Sequence, residues 1–312
     1  MKQDFYYPSK DGQTQIHAIE WSPDAQPRAI LQICHGMVEY IGRYDGFARF
    51  LAEQGFYVVG NDHLGHGESV RSDDLHGYFH ATHGNEYVIG DIHTLREMTQ
   101  EKFPGVPYFM LGHSMGSFLV RQYIELHGTG LKGVIIMGTG TQPPAVLKAG
   151  KALCKVIARF KGWTHRSETV NNTALGAYNK KFEPARTSAD WLTKDEQIVD
   201  AYLADPWCTF VFTVNAYYFM FSGIEFMQKR ENIAKVPKDL PLLLVSGADD
   251  PVGSFGKGVE QAFQGYLEAG ITDVHMKLYP TDRHEILNEL DRAQVYDDLR
   301  DWLVGHLEAA QI

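Results

Sequence analysis

The stretch YFMLGHSMGSFLVRQYIELHG, residues 108–128, decides how this chain folds. Its first residues form a short apolar and aromatic run, the mark of a buried strand, and its second half has the spacing of a helix. Between them, Gly112-His113-Ser114-Met115-Gly116 fits the pattern Gly-x-Ser-x-Gly. A strand that becomes a helix over so few residues brings the two backbones together. Side chains two positions either side of the serine would collide, so glycine is required there. Such a turn thrusts the Ser114 hydroxyl above the end of a sheet.

Similar short apolar runs recur along the chain: AILQIC (29–34), FYVV (56–59), VIIM (134–137), LLLV (242–245) and MKLY (276–279). Most are continuously apolar, as in strands covered on both faces. Helical patterns lie between them. One passes through Tyr44, Phe47, Phe50 and Leu51 to Gly55, another through Val259, Ala262, Phe263, Tyr266 and Leu267 to Gly270, and a last one through Val295, Leu299, Trp302 and Leu303. This alternation predicts a doubly wound, mostly parallel α/β sheet whose ligands bind beyond the carboxyl ends of its strands. From 141 to 241 no buried strand is evident. That stretch holds helical patterns and the aromatic run WCTFVFTVNAYYFMF (207–221). The expected organisation is a core of residues 1–140 and 237–312, interrupted by a helical insertion over 141–236.

Composition sets the bounds. The chain has 312 residues, 44% of them hydrophobic, enough for a sizeable core. Net charge is -10, from 39 acidic and 29 basic side chains, and no Lys/Arg run gathers into a patch able to neutralise a phosphate backbone. Nucleic acid is therefore not an expected partner. The opening MKQDFYYPSKDG lacks the apolar stretch of a secretion signal, and the run 210–221 is short and broken by Thr213 and Asn215. The expectation is a soluble, cytoplasmic chain. Cys34, Cys154 and Cys208 are odd in number and widely separated, which predicts reduced thiols packed as small apolar groups.

A serine hydroxyl is a weak nucleophile, so this reading of Ser114 demands a base and a carboxylate to orient it, following in the order serine, acid, histidine. LLLVSGADDPV supplies Asp249 and Asp250, and MKLYPTDRHEIL supplies His284. Of fourteen histidines, His76, His80 and His83 sit in a polar loop and His306 on the last helix; His284 alone follows the final strand and a short loop. The HEILN string is not a zinc motif, because Asn288 stands where a second histidine would be needed. Asp250 precedes Pro251 and is held in extended backbone, which favours it over Asp249. For the oxyanion, backbone N–H donors are expected at Met115, just after the serine, and at Met37 in the loop following AILQICHG.

With these residues in view, the sequence resembles the α/β hydrolases of the monoacylglycerol lipase and lysophospholipase type, a group that also takes in the serine aminopeptidases. The resemblance rests on HGMVEYIGRYDGFARFLAEQGFYVVGNDHLGHGES (35–69), GHSMGS (112–117), SGADDPVG (246–253) and YPTDRHEILNE (279–289). It implies a triad of Ser114, Asp250 and His284, oxyanion donors at Met37 and Met115, and an insertion that acts as a helical cap over an acyl pocket. It further implies monoacylglycerol, lysophospholipid or similar short-to-medium acyl esters as substrates. Two positions depart from the family pattern: Tyr40, where many relatives have histidine, and Ser117, where a second glycine is common.

Other motifs carry less. NDHLGHGES (61–69) holds two histidines near acids, but in the family it is a structural turn, so no metal is expected. Gly138-Thr139-Gly140 lacks the third glycine of a dinucleotide loop, so no cofactor is expected either. The aromatic run of the insertion could line an acyl tunnel, form the insertion's own core, or both, and could touch a membrane transiently. The leading expectation is a serine ester hydrolase acting through an acyl-enzyme. An aminopeptidase-like amidase would need insertion carboxylates for a substrate ammonium, with Glu168, Glu183, Asp190 and Glu225 available, and a non-catalytic binding protein of the same fold is the third possibility.

Overall fold

The computed structural model describes residues 1–308. Eight strands form one sheet: β1 (Lys2–Pro8), β2 (Gln15–Trp21), β3 (Ala29–Cys34), β4 (Phe56–Asn61), β5 (Tyr108–His113), β6 (Gly133–Met137), β7 (Leu242–Gly247) and β8 (Val274–Tyr279). Their order across the sheet is β1-β2-β4-β3-β5-β6-β7-β8. From β4 to β8 every pairing is parallel, while β1 and β2 join as antiparallel strands at one edge. The six apolar runs all become strands, and β3 to β7 are buried along their whole length.

The first two strands were not visible as apolar runs. β1 is mostly exposed, with Tyr7 its buried side chain, and β2 (QIHAIEW) carries a histidine and a glutamate in its interior. An antiparallel edge pair does not need to be apolar on both faces. The polar residues of β2 are matched: His17 Nδ1 lies 2.8 Å from Asp62, and Glu20 accepts from Lys102.

Ten helices accompany the sheet: α1 (Asp45–Glu53), α2 (Gly84–Lys102), α3 (Met115–His127), α4 (Pro144–Lys161), α5 (Glu168–Leu175), α6 (Glu196–Ala204), α7 (Val214–Met227), α8 (Arg230–Ile233), α9 (Lys257–Glu268) and α10 (Arg292–Glu308). Apolar side chains of α1 and α10 cover one sheet face, with Phe47, Leu51, Val295 and Leu299 packed against Leu31, Phe109 and Ile135. Those of α2, α3 and α9 cover the other, through Ile92, Val120, Ile124 and Val259. Burying each such side chain contributes about 2 kcal/mol, which is what drives both layers onto the strands.

Between β6 and β7 the regular elements of the described chain are helices, joined by irregular loops, apart from one isolated bridge, Arg166 to Thr213. Local caps set its helix starts: Ser167 accepts from Val170 N, Asp195 from Gln197 N and Thr213 from Ala216 N. α4 lies along α7 so closely that a side chain at Gly150 would meet the Phe221 ring at 2.8 Å. The aromatic run divides its duties. Phe212 and Tyr217 are fully buried in the core, whereas Phe210, Met220 and Phe221 face a cavity.

Candidate active site

Strand register brings the singled-out residues to one edge. Cys34 at the end of β3 pairs with Gly112 of β5, so the loop carrying Met37 emerges beside Ser114. Gly247 of β7 pairs with Tyr279 of β8, so the loops carrying Asp250 and His284 are neighbours. All four loops leave the carboxyl ends of parallel strands.

At the sharp turn, Ser114 has φ 54° and ψ -121°, a strained conformation for a residue with a side chain. The flanking glycines allow it. A Cβ at Gly112 would stand 2.3 Å from the Gly116 carbonyl oxygen, and one at Gly116 2.0 Å from that of Cys34. Ser114 N–H donates to Met137 O at 3.0 Å, and Ser117, the departure from the double glycine, donates its hydroxyl to Ser114 O at 2.6 Å. That serine braces the turn.

Asp250 is fully buried and its carboxylate is saturated. Oδ1 accepts from Val252 N at 2.8 Å; Oδ2 accepts from Ser246 Oγ at 3.0 Å and from His284 Nδ1 at 2.9 Å. Asp249 instead turns outward to Lys181 on the helical segment. The structure thus brings Asp250, not Asp249, to His284. The His284 ring is flanked by the tilted rings of Trp191, centroid 5.1 Å away, and His113, at 4.7 Å. Ser114 Oγ and the imidazole are not joined by a hydrogen bond, but both open onto the same cavity. Such contacts commonly tighten only when substrate is bound. The N–H groups of Met37 and Met115 make no hydrogen bond to the described protein, and both residues line that cavity.

The cavity measures about 930 Å³. Its floor is Met37, Ser114, Met115 and His284; its walls are helical-segment residues such as Leu147, Leu153, Leu203, Met220 and Ile224. No lysine, arginine or aspartate lines it, and none of Glu168, Glu183, Asp190 and Glu225 does. Asp190 is taken up by Thr187 and Arg186, and Glu225 by Lys151.

Beneath the floor runs a buried polar network that sequence reasoning missed. Glu39 accepts from Gly36 N at 2.5 Å, Tyr44 Oη at 2.8 Å and Arg43 at 2.7 Å. Arg43 also makes two bonds of 2.8 Å to Glu285, the residue after His284. Burial alone would push both carboxyls up, but hydrogen bonding from His113 and the charge of Arg43 hold Glu39 well below the usual range, and Arg43 lowers Glu285. The network ties the Met37 loop to the His284 loop across 242 residues of sequence. Its members lay inside quoted motifs; their pairing could not be read without the fold. Tyr40, the other departure, donates to Asp205 at 2.9 Å and so fastens the same loop to the helical segment.

The 61–69 turn is also buried. The His63 ring lies tilted against that of His35, centroids 4.1 Å apart, and His63 Nδ1 and His66 Nε2 have no partner among the described residues; burial lowers the proton affinity of all three rings. Among the described residues no cluster of three His, Cys, Asp or Glu side chains could hold a metal, and no helix is long and apolar enough to cross a membrane.

Residues 25–291 match the family described as serine aminopeptidase, S33. A monoacylglycerol lipase of Mycolicibacterium smegmatis is 28% identical over 294 residues, covering 92% of each chain. A monoglyceride lipase of Mus musculus is 25% identical over 297 residues, covering 93% of this chain and 87% of its own. Among solved structures, a thermostable carboxyl esterase from Bacillus coagulans superposes with a TM-score of 0.91 at 32% identity, over 98% of this chain and 99% of that one.

Proposed function

The chain belongs to the serine aminopeptidase S33 family and is a hydrolase of the carboxylic-ester type, and from that premise we propose that it cleaves uncharged acyl esters, such as monoacylglycerols, through a Ser114 acyl-enzyme. In this reading Ser114 Oγ attacks the ester carbonyl while His284 takes its proton. Asp250 keeps Nδ1–H donated to itself, leaving Nε2 as the base, and stabilises the imidazolium that forms. The oxyanion is met by the N–H groups of Met37 and Met115. Collapse expels the alcohol, which receives the proton from His284; a water activated the same way then releases the acid and restores Ser114.

The single observation behind this reading is convergence: Ser114, the buried His284–Asp250 pair and two uncommitted N–H groups all face one largely apolar cavity. The cavity also bears on the substrate. A lysophospholipid phosphate would ask for a cation, and an aminoacyl ammonium for a free carboxylate. The lining offers neither free: no lysine or arginine borders it, both nitrogens of the His113 ring are committed to His284 O and Tyr44, and its acids, Glu39 and Glu285, are spent on Arg43. The amidase alternative therefore finds no support in the geometry. We further propose residues 141–236 as a cap whose helices supply the cavity walls and hence acyl selectivity.

A panel of esters graded in chain length and head group, run on wild type and Ser114→Ala, tests this. Turnover of neutral esters should fall by at least about 10⁴-fold in the variant. Residual turnover near wild type, or faster cleavage of aminoacyl amides than of esters, would overturn it.

A further inference from the structure

His113, the residue before Ser114, is almost fully buried and takes no part in the mechanism above. We propose that it is carried as an imidazolium whose charge, set against the face of His284, keeps that ring in its proton-accepting form; this rests on the reading of His284 as the base.

The hydrogen bonds assign the protons. His113 Nε2 lies 3.2 Å from His284 O, and a carbonyl can only accept, so Nε2 carries hydrogen. Nδ1 lies 3.0 Å from Tyr44 Oη and 3.4 Å from Glu39 Oε1. Tyr44 has one proton, and it is committed to Glu39 Oε1 at 2.8 Å, since two bare oxygens at that distance would repel. Tyr44 Oη must then accept from Nδ1–H. With both nitrogens donating, the ring is a cation.

Charge balance agrees. Arg43, Glu39 and Glu285 are buried together and sum to minus one, a costly remainder away from water. An imidazolium at 113 closes the sum to zero. No other group facing the cluster can do so. His35 accepts His63 N–H at Nε2 and donates from Nδ1 to Gly36 O, so it is neutral. The phenols of Tyr44 and Tyr202 and the thiol of Cys208 are held protonated by burial. Asp250 is engaged on the other side of His284. Burial opposes the His113 charge, but the hydrogen bond and charge of Glu39 raise its proton affinity overall.

The two rings stand 4.7 Å apart, tilted by 40°. A fixed cation there disfavours a second positive charge on His284, opposing the pull of Asp250.

Nitrogen NMR of the histidine-labelled enzyme tests this without substrate, with His113 assigned by comparison with His113→Gln. Both His113 ring nitrogens should show protonated signals from pH 6 to 8; one unprotonated nitrogen at pH 7 would overturn the proposal. Glu39→Gln should strip one of those protons within the same range. In His113→Gln the His284 titration should move up by about one pH unit, and the acid limb of kcat/KM on a p-nitrophenyl ester should follow it. A His284 titration unmoved in that variant would leave His113 a merely structural residue and sink the proposal. Absence of ester turnover in the wild type would instead count against the catalytic reading, with both NMR signatures still legible.

Discussion

The floor and the walls of the cavity are built on opposite principles. The floor is backbone at the ends of parallel strands, with each buried acid saturated: three donors on Asp250, and Glu39 held by backbone, phenol and guanidinium. The walls are helices whose lining side chains are mostly aliphatic or aromatic. Preorganised dipoles fix a reaction, and their error tolerance is a fraction of an ångström. Apolar walls set volume, and a change there alters which substrate fits before it alters the chemistry. Substitutions should therefore separate into large effects on rate from the floor and modest effects on selectivity from the walls.

The largest effect tests the floor. Asp250→Asn keeps shape but presents an amide to His284 Nδ1, favouring the wrong tautomer, and should lower kcat by about 10⁴-fold with near-native melting. Steady-state kinetics alongside calorimetry would show it; a loss below tenfold would mean that the floor is less exacting than its saturated bonds suggest.

Next comes acid. His35, His63 and His66 are buried neutral, their folded proton affinity lowered by burial. As pH falls below about 6.5 the unfolded chain binds protons that the folded one refuses, so stability present above that pH is lost below it, at up to about 1.4 kcal/mol per pH unit for each ring. His17 and His113, raised by their carboxylates after burial is overcome, act in the opposite sense, as do Asp91 and Glu125, which burial raises to about 7 and about 9; these groups gain their protons mostly above pH 6.5, so the loss from the three neutral rings shows below it. Below about pH 4.3, protonation pressure on Glu39 and Glu285, both lowered, adds to the loss. Urea midpoints should fall from pH 6.5 to 5, with no comparable fall from pH 8 to 6.5. A flat profile would show these rings to be hydrated in solution.

The same contrast explains what was legible in the sequence. Ser114, Asp250 and His284 follow apolar strands, and a parallel sheet dictates that such loops meet, so local pattern and topology sufficed. Glu39, Arg43, Tyr44 and Glu285 carry no local signal, because the partner of Glu285 sits 242 positions away and a buried ion pair reads like two surface charges. β1 and β2 escaped because an edge hairpin may be polar, and Ile16 and Ala18 are buried only by tertiary packing, in one cluster with Tyr7, Ile30 and Val59. In the walls, composition announced an apolar lining, yet the division of Phe212 into the core and Phe221 onto the cavity depends on how α7 lies against α4.

A wall residue should behave differently from Asp250. Phe221→Leu removes a ring from the cavity and should raise kcat/KM for a ten-carbon relative to a four-carbon p-nitrophenyl ester by about 10- to 100-fold. Acetate turnover should stay within a few-fold. Equal losses for all chain lengths would place Phe221 among the rate-determining parts and blur the distinction.

The smallest effect sharpens the comparison most, because it acts on the residue next to the one with the largest. Lys181 reaches from the helical segment to Asp249 and over the Phe255 ring at 4.7 Å, with both charges of the pair about a third or more exposed. An exposed pair contributes at most about 0.5 kcal/mol and is screened by salt. Lys181→Ala should leave kcat/KM within about twofold and the melting temperature within about 2 °C. Proximity in sequence to Asp250 confers no share in its role, because successive side chains of this loop face in different directions, one into the saturated floor and one out to water. A tenfold loss in Lys181→Ala would mean that the helical segment bears mechanically on the Asp250 loop, and the walls would then have to be counted as part of the reaction machinery.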